Sequence, residues 1–239
     1  MTAAVAPVHV APDEFVERAQ AMPDRLVVCR FREPLCEEQL QEHVAQLSST
    51  RVEPAAVDVR VVTPVPEVAD STALSLDPLA PHTDGAFLAE PPSRFVLSCL
   101  RADPSGGGVS TFVSADTVVD RAPDRVLDGL RHGVFRFLRT YDGDLSTAFE
   151  GPVLDADARG APRIRWRADH LYRPAVVDAR GTAAAEAVDW LYEFLRDAEP
   201  AAYALRTGEL VVVPNGRVVH GRTALTAGSR RAVLRAWIY

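Results

Sequence analysis

Two short segments contain residues whose types and spacing could bind a metal ion. The first is His82-Thr83-Asp84, in which one residue separates an imidazole from a carboxylate. On an extended chain alternate side chains point the same way, so both groups would face one side. The second segment covers residues 214–222 and contains His220. A second imidazole from this distant segment would complete a set of two His and one carboxylate.

Such a set leaves coordination positions open and is typical of non-haem Fe(II) sites. An H-x-D pair alone is a weak signal, because it arises often by chance and is equally compatible with a surface turn. Four other histidines are interpreted as structural or surface residues, with the last also a candidate for a pocket: His9, His43, His132 and His170. The metal hypothesis therefore depends on what accompanies His220.

Two arginines follow His220 at a spacing that suggests an anion site. Arg231 and Arg235 are four residues apart, and the apolar pattern predicts a strand over 231–238. Both side chains would then face one side. Buried guanidinium groups are costly unless they meet anions, and guanidinium is a bidentate partner for carboxylates. A carboxylate clamp beside the metal site is one interpretation; a solvated strand face paired with surface acids is the other.

The basic residues exclude several enzyme classes. All 26 of them are Arg, and no Lys occurs. Without Lys, no Schiff base can form with a carbonyl substrate or with pyridoxal phosphate. Walker-type NTPases and protein kinases are excluded for the same reason. The 33 acidic residues give a net charge of −7, which argues against general binding to nucleic acid or to an anionic membrane. A small-molecule partner is expected instead.

The 239 residues suit one large domain or two small ones, and no repeat or linker divides them, so we predict one domain. Cys29, Cys36 and Cys99 have no zinc-binding spacing, and their low, odd number favours structural thiols in a reducing cytoplasm. No apolar run is long enough for a transmembrane helix, and the first residues do not resemble a signal peptide.

The periodicity of apolar residues predicts mainly short strands with a few helices. Helices are expected over 12–22, 36–47, 123–131 and 182–197. Strands are expected over 26–31, 57–63, 94–100, 109–114, 134–138, 163–167, 209–213, 217–220 and 231–238. This pattern indicates a mainly β fold with flanking helices, a β-sandwich or barrel of which the jelly roll is one form. Residues 64–81, with four Pro, are predicted to be an ordered loop, either a lid over the site or an ordinary connection.

Four motifs in fixed order resemble those of a known enzyme family. They are H-T-D-G from residue 82, G-G-x-S from residue 107, N-x-R-x-x-H-G-R from residue 215 and R-x-x-x-R from residue 231. In this order they resemble the Fe(II)/2-oxoglutarate dioxygenases of the TauD/TfdA, or clavaminate synthase-like, group. The resemblance implies a double-stranded β-helix (jelly-roll) core over about 75–239. Residues 1–74 would add helices and strands that pack on it, within one domain of residues 1–239.

The resemblance also implies roles for single residues. His82, Asp84 and His220 match the three iron ligands. Arg231 matches the residue that pairs with the distal carboxylate of 2-oxoglutarate, and Arg235 a position that contacts an acidic group of the substrate in several members. Ser110 matches a position usually held by Thr, whose hydroxyl helps to bind the same carboxylate, and Thr111 is the alternative. The resemblance implies supporting roles for Asn215, Arg217 and Arg222.

The implied reaction is oxidation, most simply hydroxylation, of an unactivated C–H bond, with O2 consumed and succinate and CO2 released. Asp84 favours this over halogenation, since related halogenases carry a small residue there. An amino acid or other small acid in specialised metabolism is the expected substrate. Arg165 or Arg167 could also meet its carboxylate, although at least one of them is expected on the surface. A non-catalytic binding protein with a vestigial site, and a cupin-like metalloenzyme independent of 2-oxoglutarate, are the alternatives.

Overall fold

The structure is a computed structural model that describes residues 5–50, 52–65, 74–139, 147–169, 174–177 and 182–239. The helices are α1 (Phe15–Ala21), α2 (Glu37–Leu47), α3 (Ala115–Arg121), α4 (Asp124–His132) and α5 (Thr182–Asp197). The strands are β1 (Val8–Val10), β2 (Val27–Arg30), β3 (Val59–Val62), β4 (Leu79–His82), β5 (Arg94–Arg101), β6 (Ser110–Ser114), β7 (Phe135–Leu138), β8 (Ala148–Gly151), β9 (Leu154–Ala156), β10 (Pro162–Ile164), β11 (Ala175–Val176), β12 (Ala201–Tyr203), β13 (Glu209–Pro214), β14 (Val218–Arg222) and β15 (Ala232–Ile238). None of the described helices is both long and apolar enough to cross a membrane.

Two sheets face each other and enclose an apolar interior. One has six strands in the order β1-β2-β13-β5-β15-β3, and the other has four in the order β12-β6-β14-β4. Side chains alternate along each strand, so every second residue of both sheets points inward. The interior contains Phe95, Val211 and Val233 from the larger sheet and Phe112 and Val218 from the smaller one. This architecture confirms the predicted mainly β, jelly-roll fold class.

The outer face of the six-stranded sheet is covered by α1 and α2. Alternate residues of β15, Leu234, Ala236 and Ile238, pack there with Phe15 and Leu40 of the helices. The edge of the same sheet also comes from the first part of the chain, because β2 pairs with β13 and β3 pairs with β15. The strands before residue 74 are therefore part of the sheet that carries Arg235.

The outer face of the four-stranded sheet is covered by α3, α4 and α5. Val113 of β6 and Val219 of β14 pack with Leu130 of α4 and Leu191 of α5. A three-stranded sheet, β11-β7-β8, and a hairpin, β9-β10, complete this side. The helices thus leave only the inner face of the four-stranded sheet to line a site.

Three of the differences from the predictions concern segments near the candidate site. The expected loop over 64–81 ends in a strand, because Leu79–His82 pairs with β14; residues 66–73 lie outside the described residues, so the lid hypothesis stays a prediction. The strand predicted over 163–167 ends at Ile164, since Trp166 instead exchanges hydrogen bonds with Thr83. Helix α3 was not predicted, because Thr117 and two valines oppose helix formation; the Ser114 hydroxyl caps it by accepting the Thr117 N–H at 3.0 Å.

Candidate metal centre

His82, Asp84 and His220 meet between the two sheets. His82 ends β4 and is the direct cross-strand partner of His220 on β14, so both rings point to the same face. Their ring centroids are 4.2 Å apart. Asp84 Oδ1 lies 3.5 Å from Nε2 of His82 and 3.9 Å from Nε2 of His220. One ligand atom from each residue lies within 4.8 Å of the other two.

Local hydrogen bonds orient the first two members of this cluster. The Nδ1 atom of His82 lies 2.9 Å from the Ala80 carbonyl oxygen. A proton on Nδ1 that donates to this carbonyl leaves the lone pair of Nε2 directed at the cluster. Thr83 points the other way and is tied to Trp166 by its N–H, which donates at 2.7 Å, and by its hydroxyl. The hydrogen bonds of Thr83 therefore fix the extended geometry predicted for residues 82–84.

The backbone of Asp84 is held by Asn215, which is buried. The Asp84 N–H donates to the Asn215 side-chain oxygen at 2.8 Å, and the Asn215 amide donates to the Asp84 and Pro92 carbonyl oxygens, each at 2.9 Å. Gly85 then takes a φ of 66°, and a Cβ there would lie 2.8 Å from Pro92. Asn215 and Gly85 together turn the chain directly after the carboxylate.

The carboxylate of Asp84 is buried and receives two donors from the opposite sheet. Arg235 donates to Oδ1 at 3.3 Å, and the indole N–H of Trp237 donates to Oδ2 at 2.7 Å. Burial by itself would raise the pKa of Asp84, but the Arg235 guanidinium and the two imidazoles hold this pKa well below its ordinary value. Asp84 is therefore an anion at neutral pH, as a metal ligand must be.

His220 is a buried imidazole that the surroundings keep neutral. Burial lowers its pKa well below the ordinary value, His82 and Arg235 lower it further, and Asp84 opposes them. Its ring packs on Phe95 with centroids 4.3 Å apart. Its Nδ1 atom is buried and has no hydrogen-bond partner among the described residues. Two imidazoles and one carboxylate at these distances are a donor set suited to a divalent transition metal.

A cavity of about 250 Å³ opens onto this cluster. His82, Asp84, Arg235 and Trp237 form one wall of it. Arg60, Arg167 and Asp169 contribute further charged groups, and Leu74, Leu79 and Phe87 contribute apolar surface. The cavity thus offers both basic and apolar walls next to the candidate ligands.

A second basic group lies deeper between the sheets. The Arg231 side chain is buried, and its guanidinium has no acceptor among the residues that the structure describes. Gly108, with a φ of 71°, makes room for it: a Cβ at Gly108 would lie 2.9 Å from Cδ of Arg231. Burial lowers the pKa of Arg231, while Cys99 and Asp103 oppose this. Burial and the nearby charge of Arg231 lower the pKa of Arg222 to about 10. Two adjacent buried cations are the surroundings that an anion requires.

The sequence matches the family described as "Taurine catabolism dioxygenase TauD, TfdA family" over residues 7–237. The chain belongs to the TauD/TfdA family. The resemblance inferred from the four motifs is thereby confirmed. The match covers the N-terminal strands and helices as well as the segment from residue 75 onward, in which the motifs lie.

Two of the proteins that this chain resembles are asparagine oxygenases. L-asparagine oxygenase of Streptomyces coelicolor is 32% identical over 176 residues, which cover 70% of this chain and 49% of that protein. The chain therefore spans about half the length of this TauD/TfdA-like relative. A solved asparagine oxygenase in complex with Fe(II), 2S,3S-3-hydroxyasparagine and succinate has 25% identity and a TM-score of 0.70, covering 93% of this chain and 77% of that one.

A third relative shares the fold alone. The non-heme iron oxygenase OrfP, solved in complex with Fe and alpha-ketoglutaric acid, has 19% identity and a TM-score of 0.72. The similarity covers 95% of this chain and 80% of OrfP. The two proteins therefore share their fold over nearly the whole of this chain.

The strand pairing places Ser110 and Thr111, the two hydroxyl residues suggested by the motif, on opposite faces of the sheet. Ser110 pairs with Arg222, and Phe112 pairs with His220, so Ser110 shares the inner face with the candidate ligand. Thr111 pairs with Gly221, and its hydroxyl oxygen would lie 3.0 Å from a Cβ at that glycine, on the outer face. Ser110 is buried, and its hydroxyl has no partner among the described residues. Of the two, Ser110 is the one on the inner face, with His220.

Neither Arg165 nor Arg167 is exposed, which corrects the expectation that at least one lies on the surface. Arg165 donates to the Ala86, Leu88 and Ala89 carbonyl oxygens and stacks at 3.6 Å on the Phe149 ring. It is therefore fixed as a structural cation. Arg167 pairs with Asp169 at 3.4 Å and lines the cavity. His170 lies outside the described residues, whereas His9 and His132 are exposed and His43 is half-buried, as expected.

Two contacts of the site were not predicted from the sequence. Trp237 donates to Asp84, and Thr83 locks the backbone beside it to Trp166. Trp237 was detectable in principle, since a strand places it on the same face as Arg235, two residues earlier. Arg217 of the signature pairs with Asp116 at 3.1 Å and donates to the Pro162 carbonyl oxygen.

Proposed function

We propose that this chain is an Fe(II)- and 2-oxoglutarate-dependent oxygenase that hydroxylates an unactivated C–H bond of a small molecule. Membership of the TauD/TfdA family supports the reaction class. The observation that carries the proposal is the convergence of His82, Asp84 and His220 between the sheets, next to a cavity and a buried cation. O2 and 2-oxoglutarate are consumed, and the alcohol, succinate and CO2 are formed.

His82, Asp84 and His220 would hold the iron. Ligand atoms about 2.1 Å from one ion are at most about 4.2 Å apart, and the Asp84 distances of 3.5 and 3.9 Å satisfy this. Iron, when bound with 2-oxoglutarate and O2, supplies the oxidant that attacks the C–H bond. The residues around it provide position, charge and exclusion of water.

Arg231 and Ser110 would bind the distal carboxylate of 2-oxoglutarate. Ser110 pairs with Arg222, which is two residues beyond His220 on the same face of β14. Residues two apart on a strand, such as His220 and Arg222, are separated by about 7 Å. This distance suits a five-carbon dicarboxylate that reaches from the metal to the basic groups beside Ser110. The buried guanidinium of Arg231, with no protein acceptor among the described residues, supports this assignment.

Arg235 would orient an acidic group of the substrate. It lines the cavity, contacts the candidate ligand Asp84 and lies among the charged groups Arg60, Arg167 and Asp169. Basic and acidic groups in one cavity suit an amino acid or other small acid. The similarity to asparagine oxygenase, a relative solved with a hydroxylated amino acid, supports the same substrate class.

We further propose that residues 1–239 act as one domain in the cytoplasm. Strands from the first 74 residues complete the sheet that carries Arg235, which supports a single unit. Cys29, Cys36 and Cys99 are all free thiols, in agreement with a reducing compartment. Burial and the charge of Glu209 raise the pKa of Cys29 to about 12, so it is an inert structural thiol.

An anaerobic titration with Fe(II) and then 2-oxoglutarate tests the proposed cofactors. We expect a metal-to-ligand charge-transfer absorption band in the wild type and at least tenfold weaker binding of 2-oxoglutarate in Arg231→Ala, because a buried charge pair is lost. Arg206→Ala, a change outside the site, is the control and should leave the titration unaltered. A band equally strong in Arg231→Ala would contradict the assignment of that residue. Iron binding without any band would indicate the metalloenzyme independent of 2-oxoglutarate, and no iron binding would indicate the vestigial site.

A further inference from the structure

The two oxygens of the Asp84 carboxylate have different surroundings. Oδ2 accepts the indole N–H of Trp237 at 2.7 Å, a short and favourable hydrogen bond. Oδ1 faces the two imidazoles, 3.5 Å from His82 and 3.9 Å from His220. One oxygen is therefore engaged by the opposite sheet, and the other is directed at the cluster of ligand atoms.

The position of the Trp237 ring is determined by the interior of the protein. Trp237 and Phe95 are direct cross-strand partners on β15 and β5, and Phe95 packs on the His220 ring with centroids 4.3 Å apart. The ring of Tyr239 lies at its other side, edge-on at 6.5 Å between centroids. The indole is thus held on the same wall of aromatic rings that supports one of the imidazoles.

Arg235 contacts the same carboxylate in a different way. Its guanidinium lies 3.3 Å from Oδ1, the oxygen that also faces both imidazoles. A cation bound by the three ligands would compete with Arg235 for Oδ1. Trp237 does not compete with the metal for Oδ1, since it donates to Oδ2. Of the two donors, only Trp237 can keep its bond to Asp84 when a metal is bound.

We propose that Trp237 is a positioning residue whose indole N–H holds Oδ2 of Asp84 and so directs Oδ1 towards the metal, which would displace Arg235 from that oxygen. The terminal torsion of an aspartate is soft, and carboxylates bind metals through either one or two oxygens. A donor fixed on Oδ2 stops the carboxylate from rotating and disfavours the two-oxygen mode. One more coordination position then remains open. The inference rests on the proposed function, since it concerns the same metal.

Metal affinity in Trp237→Phe tests the proposal. Phe keeps an aromatic ring opposite Phe95 and removes the N–H donor. Loss of a hydrogen bond to a metal ligand typically weakens metal binding about 10–100-fold. We expect this loss for Co(II) and Fe(II) in anaerobic titrations. Trp237→His, which restores a ring N–H, should regain part of the affinity. Trp190→Phe is the matched control, since Trp190 stacks on Phe194 in α5, away from the cluster, and should bind as the wild type does.

A measurement on the wild type covers the case in which Trp237 variants fail to fold. The chain has three tryptophans, so NMR resolves three indole N–H signals, and Co(II) should shift the one nearest the metal most strongly. With diamagnetic Zn(II) bound, that N–H should stay protected from hydrogen exchange, because its bond to Oδ2 persists. Fast exchange in the Zn(II)-loaded protein would overturn the proposal.

The outcomes separate this inference from the proposed function. Wild-type protein that binds no metal contradicts both. Wild-type protein that binds Fe(II) and gives the charge-transfer band, beside a Trp237→Phe variant with the same Fe(II) affinity, contradicts the role of Trp237 alone. Weaker binding in Trp237→Phe, with wild-type affinity in Trp190→Phe, supports it. Equal losses in both variants would also overturn it, because the effect would then be general to the fold.

Discussion

At the residue scale, Asn215 shows how one side chain determines the geometry of a neighbouring ligand. It forms three hydrogen bonds, two with the backbone of Asp84 and one with the Pro92 carbonyl oxygen, and it is almost fully buried. A buried backbone N–H or C=O that loses its partner destabilises the fold by the free energy of its desolvation. Asn215 therefore contributes to folding and places the carboxylate at the same time.

We expect Asn215→Ala to lower the free energy of unfolding by about 1–3 kcal/mol, because the Asp84 N–H loses its acceptor. Urea denaturation would measure this change, and a metal titration should show weaker binding in the same variant. In Asn215→Asp the acceptor remains but both donated bonds are lost, so its stability should also fall. Wild-type denaturation midpoints in Asn215→Ala would show that the three bonds contribute no net stability.

At the scale of elements, strand β14 determines which groups share the site. His220 and Arg222 point inward, and Val219 and Gly221 point to the helices. The neighbouring strand β6 has the same alternation, so adjacent hydroxyl residues face opposite sides of the sheet. The register of this one pair of strands therefore brings Ser110 next to Arg222.

This register predicts a difference between two neighbouring substitutions. Ser110→Ala removes a hydroxyl from the inner face and should weaken 2-oxoglutarate binding about 10–100-fold, since a hydrogen bond to a charged group contributes about 1.5–3 kcal/mol. Thr111→Val removes a hydroxyl from the outer face and keeps the shape of the side chain, so it should have no effect. The charge-transfer band measures both affinities. A larger loss in Thr111→Val than in Ser110→Ala would exclude the assigned orientation.

At the scale of the whole molecule, the candidate site joins parts of the fold that are far apart in sequence. Asp84 follows β4, His220 lies on β14, and Arg235 and Trp237 reach across from the six-stranded sheet. A metal bound there would join His82 and Asp84 to His220, which lies 136 residues beyond Asp84, in the folded state only. Metal binding should therefore stabilise the entire domain.

We expect Co(II) at about 100 times its dissociation constant to add about 2.7 kcal/mol of stability, which corresponds to a rise in Tm of about 5–10 °C for a chain of this size. Differential scanning calorimetry with and without a chelator would measure the rise. His220→Ala should abolish it, while His132→Ala, which removes an exposed histidine, should keep it. A rise that survives in His220→Ala would mean that the metal binds elsewhere.

The sequence by itself determined the class of fold, most helices and strands, and the residues that could do chemistry. Short apolar runs bounded by turn residues predict strands, and this held for β5, β13 and β15, which are buried over much of their length. The H-x-D pair, the later His220 and the spaced arginines were recognisable because their types and order limit the chemistry they can perform. These features depend on local sequence alone, and so one sequence is enough to find them.

The tertiary structure alone decided which groups meet. The contacts of Trp237 and Arg235 with Asp84, the opposite faces of Ser110 and Thr111, and the burial of Arg165 all depend on strand register and on the packing of two sheets. Each joins residues far apart in the chain, where no local periodicity relates one to the other. A shift of one residue in register would reverse every side chain of a strand, so these contacts are properties of the folded core.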